Sequence, residues 1–183
     1  MTIRYKTLDE ADEFDDLAAL PVDHRVRSSL CQTPISVLDI SSRLAITYPN
    51  DSINLAVRRM REKGIGSVVV IDPESHELTG ILTERDLLNK IVGKGIDHEK
   101  ARVKDYMTPN PEYLNKHDKI AYALHKMSVL GFRHVPITNV DHQVEGIVSV
   151  RTVVDYLVEQ LSNEIYNLRP DPLRKGFSAR EGA

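Results

Sequence analysis

The sequence predicts an α+β protein in which a unit of strand–helix–strand–strand–helix occurs twice in tandem. The first observation is internal similarity: residues 51–72 match residues 118–139, and residues 80–92 match residues 146–158. The second observation is that helical and strand periodicities alternate in the same order in both copies. One unit of about 50 residues has little interior of its own. We therefore expect the two copies to pack together with pseudo-twofold symmetry.

The first helix of each copy is predicted from an apolar stripe with the spacing i, i+3, i+4 and i+7. Asp51 and Ser52 can cap this helix in the first copy. Gly64 and Gly131 follow the two stripes as helix stops. The residues expected to face inward are Ile53, Ala56, Val57 and Met60 in the first copy, and Ile120, Ala123, Leu124 and Met127 in the second.

Two β-rich runs and a second helix complete each copy. The first run is Ser67–Ile71 in one copy and His134–Thr138 in the other. In the first copy, a turn over Asp72–Gly80 is predicted to lead to a short strand at Ile81–Leu82. The helices that follow are expected to start at Thr83 and Ser149. Their expected inward residues are Leu87, Leu88 and Ile91 in the first copy, and Val153, Val154 and Leu157 in the second.

These elements divide the chain into four predicted parts. Residues 1–37 form an N-terminal extension, residues 38–98 the first repeat, residues 99–162 the second repeat, and residues 163–183 a C-terminal tail. Glycine and proline residues within residues 93–112 are typical of a connector.

Composition argues against several classes of function. Lys and Arg number 24 against 27 Asp and Glu, so the chain lacks the positive charge that non-specific nucleic-acid binding requires. Cys31 is the only cysteine, which excludes an internal disulfide framework. The histidines include no H-x-x-x-H pair, so no metal site is predicted. The start is acidic and no apolar run reaches about 20 residues, which predicts no signal peptide, no membrane association and a cytoplasmic location.

Three phrases carry a resemblance to a known family. GILTERDLL (Gly80–Leu88), KDYMTPNP (Lys104–Pro111) and GFRHVPIT (Gly131–Thr138) resemble the cystathionine β-synthase (CBS) domain, and a tandem pair of these domains is called a Bateman module. The resemblance covers about residues 38–161. It implies a non-catalytic regulatory homodimer that binds AMP, ADP, ATP or NAD between its repeats. Such a sensor would report energy or redox state to a partner protein.

The main nucleotide site is expected where the first repeat faces the second. Thr83 follows a strand and opens a helix, so its hydroxyl can meet a phosphate. Asp86 lies one turn later and can accept hydrogen bonds from both hydroxyls of a ribose. The resemblance implies that Ile81 contacts the adenine, and that Arg133 and His134 face the phosphates. It also implies contacts from the stretch that enters the second repeat, namely Met107, Asn110 and Glu112.

The same residue types also have simpler roles. The pattern Thr83-x-x-Asp86 is close to a capping box, which needs no ligand. Arg133 and His134 could be ordinary surface residues. Arg85 and its counterpart Arg151 could serve a phosphate or only an exposed helix face.

The pseudo-symmetric cleft is predicted to be the weaker site. Thr152 stands there at the position of Asp86, and a hydroxyl cannot offer two carboxylate oxygens to a diol. Gly66 and Ser67 stand at the positions of the two cationic residues and carry no charge. We therefore expect one nucleotide per chain, most favourably AMP. The residues assigned to the weaker cleft are Ala45, Gly66, Ile147, Ser149, Arg151 and Thr152.

Two other functions stay open. One is an enzyme with its site in residues 1–44 or in the tail, although neither segment contains a recognisable nucleophile–base pair. The other is a structural dimerisation module with vestigial pockets. A dimer is expected to use apolar residues of the second helices, which would be shared between the core and the dimer interface: Leu88, Ile91, Tyr156 and Leu157.

Overall fold

The computed structural model of the chain describes residues 30–165, with side chains up to residue 160 in the last helix. It contains helices and two β-sheets, which confirms the predicted α+β class. Most of the predicted N-terminal extension and most of the tail lie outside the described residues.

The first sheet contains four strands in the order β1-β2-β3-β4. Strand β1 is parallel to β2, and the other neighbouring pairs are antiparallel. The elements in chain order are β1 (Ile46–Thr47), α1 (Ile53–Lys63), β2 (Ser67–Ile71), β3 (Leu78–Thr83), α2 (Glu84–Lys90) and, after a 3-10 turn at Val103–Asp105, β4 (Thr108–Pro109).

The second sheet contains three strands in the order β5-β6-β7. Strand β5 is parallel to β6, which is antiparallel to β7, as in the first repeat. The elements in chain order are β5 (Leu114–Asn115), α3 (Ile120–Leu130), β6 (His134–Thr138), β7 (Val144–Ser149) and α4 (Val150–Ile165).

The predicted helix ends are confirmed at α1 and α3. The Ser52 hydroxyl accepts a hydrogen bond from the Leu55 N–H at 3.2 Å, which satisfies one free donor of the first turn of α1. Gly64 and Gly131 end the two helices with φ of 62° and 70°. Glycine adopts this left-handed conformation without the steric cost of a Cβ atom.

The predicted turn over Asp72–Gly80 is wrong in length. The Asp72 carboxylate accepts hydrogen bonds from the N–H groups of Glu74 and Ser75, at 2.8 and 2.9 Å, and closes the turn early. Strand β3 therefore starts at Leu78, three residues before the predicted start, and pairs there with Ile71.

Two predicted core residues face outward. Leu88 on α2 is 66% exposed, and Val154 on α4 is also exposed. Leu87 and Ile91 lie four residues apart on one face of α2 and contact the core, whereas Leu88 lies about 100° around the helix. Val153 and Leu157 form the equivalent pair on α4.

Each repeat receives part of its core from the segment that precedes the other repeat. Ile35 and Leu38 lie before β1, the first strand of the first repeat, but are buried in the core of the second, with Leu114 and Ile137. Val103 lies before β5, the first strand of the second repeat, and is fully buried in the core of the first. We call residues 33–41 and 101–109 the lead-in segments.

Equivalent backbone hydrogen bonds anchor both lead-in segments. Ile35 donates to the carbonyl of Asp118 at 2.8 Å, and Val103 donates to the carbonyl of Asp51 at 3.0 Å. Each lead-in segment also lies along a strand of the repeat whose core it enters. Thr108 of the second lead-in pairs with Ile81 in β3. Ile40 of the first lead-in accepts a hydrogen bond at its carbonyl from Ile147 in β7, at 2.9 Å. The packing of the two repeats is therefore fixed by main-chain contacts as well as by apolar burial.

Replacement of Ile35 tests this exchange. We expect Ile35→Ala to lower the free energy of unfolding by about 2–5 kcal/mol, the range for truncating a fully buried aliphatic side chain. Urea denaturation followed by circular dichroism measures the change. Val37→Ala is the matched control, since Val37 lies in the same 3-10 turn but is 51% exposed. The control should differ from the parent by about 0.5 kcal/mol or less. Equal stabilities for the two variants would contradict the exchange.

Candidate functional site: two adjoining clefts

Two clefts lie between the repeats, near the end of β3 and the start of β6. The small cleft has a volume of about 320 Å³ and the large cleft about 760 Å³. Both volumes fall within the roughly 300–1,000 Å³ of ordinary ligand sites. The small cleft is lined by Gly66, Ile81, Thr83, Glu84, Arg85, Thr108, Asn110, Pro111, Glu112, Phe132, Arg133 and His134. The large cleft is lined by Arg43, Met60, Arg61, Gly64, Ile65, Gly66, Ser67, Glu84, Arg133, His134, Ile147, Ser149, Val150, Arg151, Thr152 and Val154.

Thr83 and Asp86 form a capping box at the start of α2. The Asp86 carboxylate accepts hydrogen bonds from the Thr83 N–H at 3.0 Å and from its hydroxyl at 2.7 Å. The other carboxylate oxygen lies 2.8 Å from the Lys90 ammonium. The capping role that needs no ligand is therefore present in the structure. Asp86 is not among the residues that line the small cleft.

The second repeat has the same cap without the carboxylate. The Ser149 hydroxyl accepts a hydrogen bond from the Thr152 N–H at 3.1 Å, and the two hydroxyl oxygens lie 2.9 Å apart. Thr152 is buried, so its hydroxyl is committed to this local contact. The large cleft has no carboxylate at the position equivalent to Asp86.

Arg133 and His134 line both clefts. Arg133 is exposed, and its carbonyl accepts a hydrogen bond from the Val150 N–H at 3.2 Å, which fixes the start of β6 against α4. Burial of the imidazole lowers the pKa of His134, because desolvation disfavours the charged form, and the neighbouring Arg133 charge lowers it further. His134 therefore offers a neutral ring, and an anion bound beside it would favour uptake of a proton from solvent.

Glu84 and Gly66 lie between the two clefts and line both. A Cβ atom at Gly66 would lie 2.7 Å from a carboxylate oxygen of Glu84, so no larger residue fits without moving that carboxylate. We call this pair the partition. The small and large clefts are therefore adjacent spaces that share side chains.

The structure places most predicted residues at the predicted clefts. Six of the eight residues assigned to the main site line the small cleft, and five of the six assigned to the weaker site line the large cleft. Besides Asp86, Met107 does not line the small cleft: it packs against Gly80 at the edge of the first core. Ala45 does not line the large cleft because it is buried in the first core.

The large cleft contains more cationic residues than Arg151, the only one that the sequence analysis assigned to it. Arg43, Arg61, Arg133 and Arg151 all line it. Arg61 comes from the last turn of α1 and Arg43 from the segment between the first lead-in and β1. Comparing the two copies did not indicate these two arginines, because Arg61 aligns with Ser128 in the second copy and Arg43 precedes the matched residues.

The charges of the small cleft are more balanced. Arg85 and Arg133 face Glu84 and Glu112 among its lining residues. Arg85 donates to the carbonyl of Gly131 at 2.9 Å, so it bridges the two repeats across the cleft. Three further residues of the quoted phrases, which were not named individually as site residues, also line it: Thr108, Pro111 and Phe132.

Comparison with known proteins identifies the repeats. The family described as CBS domain matches residues 37–93 and again residues 103–159, which together span more than half of the chain. The chain belongs to the CBS-domain family. It is a tandem CBS pair, as the resemblance implied.

A CBS domain-containing protein of Arabidopsis thaliana, CBSCBSPB3, is 30% identical over 128 residues, or 70% of this chain. This chain spans only about a quarter (23%) of the length of that relative. The structure of CBSX2 in complex with AMP has a TM-score of 0.59 and 22% identity, and covers 69% of this chain and 97% of its own. The CBS domain pair of protein MJ0100, in complex with 5'-methylthioadenosine and S-adenosyl-L-methionine, has a TM-score of 0.61 and 21% identity, covering 70% and 98%. At these identities the two structures show a shared fold.

No helix within residues 30–165 is long and apolar enough to cross a bilayer. The same part of the chain holds no group of three or more His, Cys, Asp or Glu residues that could bind a metal ion. The cytoplasmic location stays a prediction from composition.

The lowered pKa of His134 predicts a pH dependence of stability. Because the folded chain holds this imidazole neutral, the unfolded chain takes up the proton first as the pH falls below the ordinary value of 6.5. The contribution of His134 is therefore complete above that pH and is lost below it. Urea unfolding at about pH 7.5 and about pH 5.5 measures the loss.

His134→Gln should lose less stability between the two pH values than the parent protein. His117→Gln, at an exposed position, is the control and should keep the parental pH dependence. The same loss in all three proteins would show that His134 makes no contribution to it.

Proposed function

We propose that this CBS pair binds an adenine nucleotide in the small cleft and that occupancy of the cleft regulates a partner protein. AMP is the first candidate, and ADP, ATP and NAD are the others. The observation that carries the proposal is the convergence of Ile81 and Thr83 of the first repeat with Arg133 and His134 of the second in one ligand-sized space.

The chemistry of the lining residues supports a nucleotide. Ile81 and Pro111 are apolar and both line the cleft, so they offer apolar surface for a base. Asn110 has a positive φ of 45°. Its N–H donates a hydrogen bond to the carbonyl of Thr79 at 3.1 Å, which fixes the backbone at this side of the cleft. Arg133 can bind a phosphate through two guanidinium N–H groups.

The relatives support the adenosine part of the ligand. AMP, 5'-methylthioadenosine and S-adenosyl-L-methionine, which are bound to the two related CBS pairs, all contain adenosine and differ at its 5' position. The net-neutral lining of the small cleft does not select among these substituents by charge alone. S-adenosyl-L-methionine is therefore a ligand to test beside the nucleotides.

A regulatory role agrees with the family, whose members are generally non-catalytic modules. The rival possibility is a dimerisation module with vestigial pockets. Denaturing the purified protein and identifying released small molecules by mass spectrometry separates the two. A stoichiometric adenosine compound supports a sensor. Absence of any such compound, together with no AMP binding by titration calorimetry, would contradict the proposal.

Asp86 tests the ribose contact. If its carboxylate exchanges the Thr83 hydroxyl for a ribose diol, Asp86→Ala removes hydrogen bonds worth about 1.5–3 kcal/mol, or roughly 10- to 150-fold in AMP affinity. Loss of the capping box should also cost about 0.5–2 kcal/mol of stability. Titration calorimetry and urea unfolding measure the two effects separately.

Asp141→Ala is the control for Asp86→Ala. Asp141 is exposed in the turn between β6 and β7, so its removal deletes the same charge without touching either cleft. It should leave both AMP affinity and stability close to the parental values. Unchanged AMP affinity in a folded Asp86→Ala variant would show that the carboxylate only caps α2.

We also propose a homodimer formed through α2 and α4. Exposed apolar side chains on or directly after these helices include Leu88, Val92, Val154 and Val158. Of the residues predicted for this interface, Leu88 is available, Ile91 is buried in the first core, and Tyr156 and Leu157 are half-buried against the second core.

Leu88→Lys should convert the dimer to a monomer of 20.7 kDa in sedimentation experiments, because a charge would be buried at the interface. Val140→Lys is the control, since Val140 is 86% exposed in the turn between β6 and β7. It should leave the dimer intact. A parent protein that sediments as a monomer at micromolar concentration would exclude the proposed dimer.

A further inference from the structure

We propose that the large cleft binds the phosphate chain of a polyphosphate ligand, without requiring a nucleoside. Four arginines from separate parts of the fold line it. Arg43 precedes β1, Arg61 lies at the end of α1, Arg133 precedes β6, and Arg151 lies in the first turn of α4. This site is distinct from the small cleft and does not depend on a nucleotide being bound there.

The positive charge of the large cleft is only partly compensated. Arg43 and Arg151 share one carboxylate, that of Asp155, at 3.1 and 3.8 Å. Arg61 and Arg133 make no ion pair within residues 30–160. Glu84 is the only acidic residue among the lining residues. Four guanidinium groups therefore face two carboxylates, and an anion in the cleft would gain from the excess.

The remaining features favour a phosphate chain over a second nucleoside. Thr152 stands where a diol acceptor would be needed, and its hydroxyl is buried against Ser149. The volume of about 760 Å³ exceeds the space that a single phosphate fills, and the arginines come from both repeats. Guanidinium groups bind phosphate oxygens in pairs, so several linked phosphates can engage several arginines at once.

The phosphate chain has two possible sources. It could belong to a free inorganic polyphosphate. It could also be the tail of a nucleotide whose adenosine occupies the small cleft, because the two clefts adjoin at Arg133 and the partition. Titrations with sodium tripolyphosphate, AMP and ATP distinguish these sources.

Arg61 and Arg85 form a matched pair of test positions. Both are exposed arginines at helical positions, but Arg61 lines only the large cleft and Arg85 only the small cleft. We expect Arg61→Gln to weaken tripolyphosphate binding roughly 2- to 5-fold, the upper part of the range for one exposed charge contact, and to leave AMP binding unchanged. Arg85→Gln should leave tripolyphosphate binding unchanged. Isothermal titration calorimetry at fixed ionic strength measures each affinity.

The results with ATP identify the source. Weaker ATP binding in Arg61→Gln indicates a nucleotide tail that enters the large cleft, whereas unchanged ATP binding in that variant indicates a free polyphosphate. No tripolyphosphate binding by the parent protein overturns the proposal. Equal losses in Arg61→Gln and Arg85→Gln also overturn it, because they indicate general charge attraction. AMP binding that fails while tripolyphosphate binding follows the expected pattern contradicts the proposed function only.

Glu84→Gln provides a second, opposite measurement. Glu84 lies at the partition and repels an anion in either cleft, so its neutralisation should tighten tripolyphosphate binding about 2- to 5-fold. Tighter tripolyphosphate binding by Glu84→Gln can be measured even if Arg61→Gln does not fold. Unchanged or weaker tripolyphosphate binding in a folded Glu84→Gln protein would contradict a phosphate site beside the partition.

Discussion

The exchange of lead-in segments is the constraint on which the rest of the structure depends. Ile35 completes the core of the second repeat and Val103 completes the core of the first, so neither repeat closes its interior with its own residues alone. A third apolar cluster, formed by Val69, Ile71 and Ile81 of one sheet and Ile147 of the other, lies between the sheets. The repeats are therefore held in one arrangement, and the clefts between them exist without a ligand to organise them.

Sequence patterns within a single segment correctly predicted helices α1 and α3. The apolar stripe and the glycine stops of α1 and α3 act within one helix, so the sequence alone sufficed for them. The shortened turn after β2 depends on the Asp72 side chain closing on nearby N–H groups, and the exposure of Leu88 depends on which face of a seven-residue helix meets the core. The exchange itself joins residues far apart in the chain, and the periodicity of single segments carries no information about it.

The candidate site shows the same division. The resemblance to the CBS domain placed Thr83 and Arg133 in one cleft, because both lie in phrases that carry that resemblance, and both line the small cleft. Comparison of the two copies could not indicate Arg43 and Arg61, because the residues at the equivalent positions of the second copy are Asn110 and Ser128. The two clefts differ in charge because of residues that differ between the copies. A search for similarity between the copies does not detect such residues.

Arg133, which lines both clefts, links whatever is bound in one cleft to whatever is bound in the other. Arg133 cannot give its full set of hydrogen bonds to two anions in adjoining clefts, and two such anions also repel each other. Separate ligands would thus antagonise one another, and thermodynamic linkage requires each to weaken the other by the same factor. Occupancy would then follow the ratio of two metabolite concentrations more closely than either concentration alone. A molecule long enough to reach both clefts would escape that antagonism.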